Sequence, residues 1–76
     1  MELRLREFLS SRFPAYDASF ESSDDLSLVV DSLGLFDLLE FVEREFDVHV
    51  STEEFSPRRF SSIDCIVELV SELRSR

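Results

Sequence analysis

Few side chains in this 76-residue sequence could do covalent chemistry, and their spacing removes most of the options. His49 and Cys65 are the sole residues of their kinds. They stand too far apart to give a metal-ligand pair of the zinc type. A Cys–His nucleophilic pair would need an exposed thiolate, whereas Cys65 falls within an apolar helical stretch, where a thiol behaves as a small hydrophobe. His49 belongs at a surface or loop edge. Gly34 is the only glycine, so no glycine-rich phosphate cradle can form. Carboxylates abound, but a catalytic pair needs a cleft, and a chain this short has little wall from which to build one. What remains is Asp31-Ser32-Leu33, where a long polar loop meets the longest apolar-periodic segment. A hydroxyl there is accessible. A phosphate attached to it would lie beside free backbone amides and the positive end of the helix dipole. The alternative is that Ser32 merely helps to cap the helix, and spacing alone favours that simpler role.

The elements that would position this serine follow from periodicity and breakers. Residues 3–13 place Leu5, Phe8 and Leu9 at helical spacing, and Pro14 disfavours helical geometry at Phe13, ending the helix there. Residues 14–30 form a long connection rich in Ser and Asp, a length that in compact domains is often functional. Phe20, Leu26 and Leu28 are its expected anchors, and residues 26–30 read as an extended, anchored loop. Residues 32–46 form the clearest helix: Leu35, Leu38, Leu39, Val42 and Phe46 make one buried stripe, with Asp31 as N-cap. Gly34 costs this helix up to roughly 1 kcal/mol relative to Ala. After a short extended stretch at 48–50, Ser51-Thr52-Glu53-Glu54 has the form of a capping box. It predicts a short helix stopped by Pro57. The last helix is predicted to begin near Ser61, with Ser61 as cap and Ile63, Ile66, Val67, Val70 and Leu73 as its stripe. The expectation is an all-α, single-domain (1–76) four-helix bundle with a long first loop and a short third helix.

Composition narrows the partners. Seventeen acids against eight bases give a formal net charge of −9. That argues against nucleic acid, whose binding requires Lys and Arg to displace counterions, and against anionic membranes. Between residues 17 and 54 there are twelve acids and one base, Arg44. Such a face suits partners carrying basic patches, with faster association through electrostatic steering. It is equally compatible with an acidic surface that only confers solubility. One cysteine allows no internal disulfide. Met1-Glu2-Leu3-Arg4-Leu5-Arg6-Glu7 is too charged for a signal peptide, and no apolar run approaches membrane-spanning length. The expectation is a soluble, cytoplasmic protein.

At these residues the sequence resembles the acyl carrier protein family, which includes peptidyl and aminoacyl carriers. The likeness rests on Asp31-Ser32-Leu33 and on the run from Leu38 through Glu40, Phe41, Glu43 and Phe46 to Val48-His49-Val50. Phe60-Ser61-Ser62-Ile63 adds to it by resembling the apolar-Thr-Thr-Val lead into the family's last helix. It implies a four-helix fold in which a phosphopantetheinyl transferase, using coenzyme A and Mg²⁺, attaches 4′-phosphopantetheine to Ser32, beside Asp31. The arm's thiol, not Cys65, would then carry cargo as a thioester. Leu33, Phe36, Asp37 and Glu40 match the family's partner-docking face. Leu39, Val42, Phe46, Phe60, Ile63 and Ile66 match positions lining its apolar interior, which can shelter some acyl chains. Partners implied are that transferase, a loading ligase or acyltransferase, and an acceptor synthase or transferase, all visited by a monomer. Two departures stand out. Val29 and Val30 fill the space where the family usually has a glycine, and residues 56–60 are longer than in carriers of fatty-acid synthesis. The second is similar to stand-alone carriers of specialised pathways handling polyketide units or amino acids, and eight Phe argue against a wide tunnel for long chains.

Two rival readings stand beside this one. An aminoacyl or peptidyl carrier differs only in cargo. A non-carrier, acidic helical interaction module would instead use Phe36 and Phe41 as apolar anchors, and Ser32→Ala would then be silent. No enzyme site can be assembled from the residues present.

Overall fold

The computed structural model describes residues 1–17 and 19–75. Three α-helices form among them: α1 (Glu2–Arg12), α2 (Ser32–Phe46) and α3 (Ile63–Arg74), with a 3₁₀ turn at Leu26–Leu28 before α2 and no strand. The all-helical class is as the periodicity predicts.

The short helix expected after Ser51 is not formed; residues 51–60 make successive turns instead. One arm of the capping box is as predicted, Glu54 N donating to Ser51 Oγ at 3.3 Å, while the Glu54 carboxylate accepts from the Ser51 hydroxyl, Oγ to Oε1, at 3.1 Å. One helical bond follows, from Phe55 N to Ser51 O at 2.9 Å. Helix propagation must then recover the cost of that first turn. Pro57, two residues on, has no N–H to offer, and the next bonds revert to the tighter i→i+3 pattern at Arg59, Phe60 and Ser61.

α1 has no side-chain cap, but Glu2 in its first turn and Arg12 in its last complement the helix dipole. Phe13 leaves the helix in an extended conformation (φ −119°, ψ 106°) ahead of Pro14. Leu5 and Leu9 are fully buried; with Leu26, Leu38, Val42, Phe60, Ile63, Ile66, Leu69 and Val70 they make the centre of the core. Leu69 completes the α3 stripe at i+3 from Ile66, a position the predicted stripe passed over. Val67 and Leu73 are only half-buried against it.

The α3 cap is Ser62, not Ser61. Ser62 is extended (φ −152°, ψ 165°) and its hydroxyl accepts from Cys65 N at 3.1 Å. Ser61 has other duties: its hydroxyl donates to Arg58 O at 2.8 Å and its carbonyl accepts from Leu26 N at 2.7 Å.

Candidate functional site

Ser32 owes its position to three constraints on the start of α2. The first is the cap: Asp31 is extended, and its Oδ1 accepts from Gly34 N at 2.7 Å, satisfying one of the helix's free donors. The second is Gly34, which is buried. A Cβ there would lie 2.6 Å from Phe13 Cε1 and 3.1 Å from Asp31 Oδ1. The ring of Phe13, at the end of α1, therefore rests directly on the first turn of α2, and only glycine leaves room for it. The propensity cost noted from sequence is thus offset by a close approach. The third is an ion pair between Arg12 and Asp37 at 2.9 Å, which links the same two helices.

The loop that delivers the chain to Asp31 is fastened at both sides. Tyr16 is buried and Phe20 half-buried. Arg6 holds both, donating to Tyr16 Oη at 3.0 Å and to Phe20 O at 2.7 Å. Across the fold, Asp64 N, a first-turn donor of α3, bonds Ser22 O at 2.9 Å, beside the Leu26 N to Ser61 O bond. Short local bonds shape the tip. Asp17 accepts from the Ser19 amide and hydroxyl, and Asp25 Oδ1 accepts from Ser27 N at 2.9 Å. These bonds hold both carboxyls below the usual carboxylate range. Two expectations for this loop are corrected. Residues 26–28 close a 3₁₀ turn, with Val29 N and Val30 N both bonding Leu26 O, instead of running extended. Of the predicted anchors, Leu28 points outward and is 77% exposed.

Ser32 itself is exposed, and among the described residues no group bonds its hydroxyl. Neighbouring first-turn amides have no intrahelical acceptor. A shallow groove beside it is bordered by Pro14, Ser27, Leu28, Val29 and Leu33. An exposed hydroxyl, free amides and a partly apolar groove together fit a phosphodiester-linked arm leaving Ser32.

The four residues matched to a docking face lie along α2. Leu33 and Phe36 are largely exposed, at 78% and 60%. Glu40 is exposed and lies 3.7 Å from Arg44. Asp37 is half-buried and engaged with Arg12. Phe36 is not isolated: its ring centroid is 5.7 Å from that of Phe55. Phe55 is the residue the sequence reading passed over. Its signal was its place one helical turn after Ser51, at the close of the capping box.

Of the residues matched to an apolar interior, Val42, Phe46, Phe60, Ile63 and Ile66 are buried and Leu39 is half-buried. Phe41, the second anchor of the interaction-module reading, is turned inward. It stacks on Phe8 at 4.2 Å and meets Phe46 edge-on at 6.0 Å. Cys65 is half-buried, with its Sγ 3.6 Å from Ser61 Oγ, and His49 is exposed with Nδ1 3.4 Å from Glu43. Ser32, His49 and Cys65 make no contact with one another. Among the described residues no group of acids, His and Cys is arranged to hold a metal ion, and no helix is long and apolar enough to cross a membrane.

No protein-family model matches the chain, and no solved structure matches it significantly. Over 47 residues, 62% of this chain, it is 34% identical to the probable acyl carrier protein PigG of Serratia sp. (strain ATCC 39006). The chain spans 54% of that relative's length.

Proposed function

We propose that the chain is a carrier protein: it holds an acyl or aminoacyl group as a thioester on a 4′-phosphopantetheine arm attached to Ser32, and presents it to biosynthetic enzymes of a specialised, polyketide-type pathway. The observation that carries this reading is the exposed, unpartnered Ser32 hydroxyl at the first turn of the longest helix, in a chain similar to a probable acyl carrier protein. When bound, the group supplies the terminal thiol on which cargo is held.

The chain's own residues bind and orient. Ser32 Oγ is the attachment atom. Asp31 keeps its carboxylate on Gly34 N, which holds the first turn closed and leaves the amides of Ser32 and Leu33 and the dipole of α2 to favour phosphate. Phe13 against Gly34 fixes the direction in which that turn points. Leu33, Phe36 and Glu40 offer an apolar and acidic face to a transferase, a loading enzyme and an acceptor, with Asp37 behind them on Arg12. Cys65, partly covered, has no part in holding cargo.

Intact mass after incubation with coenzyme A, Mg²⁺ and a promiscuous phosphopantetheinyl transferase tests this directly. The expected result is a gain of one phosphopantetheine in the unaltered chain and none in Ser32→Ala. No gain with several transferases, on folded protein, would overturn the reading. It would leave an interaction module with Phe36, not Phe41, as its anchor.

A further inference from the structure

Phe36 stands one helical turn beyond Ser32 on the same face of α2. Its exposed ring lies against Phe55, at 5.7 Å and a tilt of 43°. Phe55 is half-buried and meets Phe60 edge-on, at 5.5 Å and 77°. Phe60 is 2% exposed and belongs to the core together with Val42, Ile63 and Ile66, each fully buried. A file of three rings therefore runs from the surface beside Ser32 into the centre of the molecule, across the seam between α2 and residues 51–60.

An aliphatic chain tethered near Ser32 is driven out of water in proportion to the methylenes it exposes. The seam one turn from its anchor is the short way in, and the rings already occupy it. Close-packed interiors admit extra methylenes only by displacing what is there. Phe55 is also held from behind, since its own amide bonds Ser51 O at 2.9 Å within the turn that Ser51 and Glu54 close. The edge-on pairing of Phe55 with Phe60 is one of the favoured ring geometries.

We propose that Phe55, set between Phe36 and Phe60, closes the core to cargo, so that this carrier holds short or polar acyl groups outside and excludes long aliphatic ones from its interior. The inference rests on attachment at Ser32 and adds the class of cargo.

The test loads Ser32 from acetyl-, octanoyl- and dodecanoyl-coenzyme A and follows the methyl NMR signals of Val42, Ile63 and Ile66. Loading is first established by mass. In the unaltered chain these methyls are expected at the same shifts with all three cargoes. In Phe55→Ala the octanoyl and dodecanoyl forms, but not the acetyl form, should move them and raise the thermal midpoint. Phe55→Leu, which keeps apolar bulk at the position, serves if the alanine variant does not fold, with a smaller shift of the same kind expected. Chain-length-dependent methyl shifts in the unaltered protein would overturn the closed core and leave attachment intact. So would methyls that ignore cargo in folded Phe55 variants. Failure of loading would instead overturn the attachment reading, and the inference with it.

Discussion

Residues 14–31 and 51–60, which lie in the two connections between helices, are held by different means. The first is fixed by polar bonds to helices on both sides: Arg6 reaches Tyr16 and Phe20 from α1, and the start of α3 exchanges bonds with Ser22 and Leu26. The second closes on itself through local turns and meets the rest of the molecule through rings, with Phe55 between Phe36 and Phe60 and Phe60 in the core, and through one ion pair, Arg59 with Glu72 of α3. Directional bonds fix a backbone path, and that is what the attachment proposed at Ser32 needs. Ring packing fills space, and that decides what the interior admits. The same economy of 76 residues is thus divided between placing a serine and occupying a seam.

The first connection depends most on Leu26, its apolar anchor, which is 1% exposed. Leu26→Ala should cost about 2–5 kcal/mol in urea unfolding, with the loss of transferase modification following the loss of fold. Next is Gly34, where the first connection delivers the chain. Gly34→Ala sets a Cβ against the Phe13 ring and should cost about 1–3 kcal/mol. Adding Phe13→Leu should restore part of that, as a double-mutant cycle would measure. Ser62→Ala removes the α3 cap at the point where the first connection is tied down. About 0.5–2 kcal/mol is expected by the same unfolding assay. The smallest effect belongs to pH. The Asp17 and Asp25 carboxyls are held below the usual carboxylate range, Asp17 first by the Ser19 hydroxyl and Asp25 first by the Ser27 amide. Their contribution is therefore complete above the ordinary carboxylate pKa and is lost as pH falls through the lowered folded values. Asp17→Asn with Asp25→Asn should flatten the acid end of a stability–pH profile slightly, leaving the neutral range unchanged.

How legible each part was in the sequence follows from where its information lies. α2 could be bounded from residues 32 to 46 because a long single stripe and a capping Asp both act locally. The place of Ser32 at a loop–helix junction was legible for the same reason. The start of α3 was not, because two adjacent serines can each cap and only the bonds brought by Leu26 and Arg58 assign Ser61 elsewhere. Residues 51–60 carry a genuine helix-start signal that Pro57 cuts short before it can propagate. The purpose of Gly34 depends on Phe13 and that of Phe55 on Phe36 and Phe60. Such pairings between separate segments leave no periodic trace.

The bonds from Asp64 N to Ser22 O and from Leu26 N to Ser61 O have a further consequence for motion. They tie the serine-rich loop to the opening turn of α3, so the amide hydrogens of Leu26 and Asp64 exchange only when that tie opens. A loop that looks in sequence like a tether is fastened to the start of the last helix.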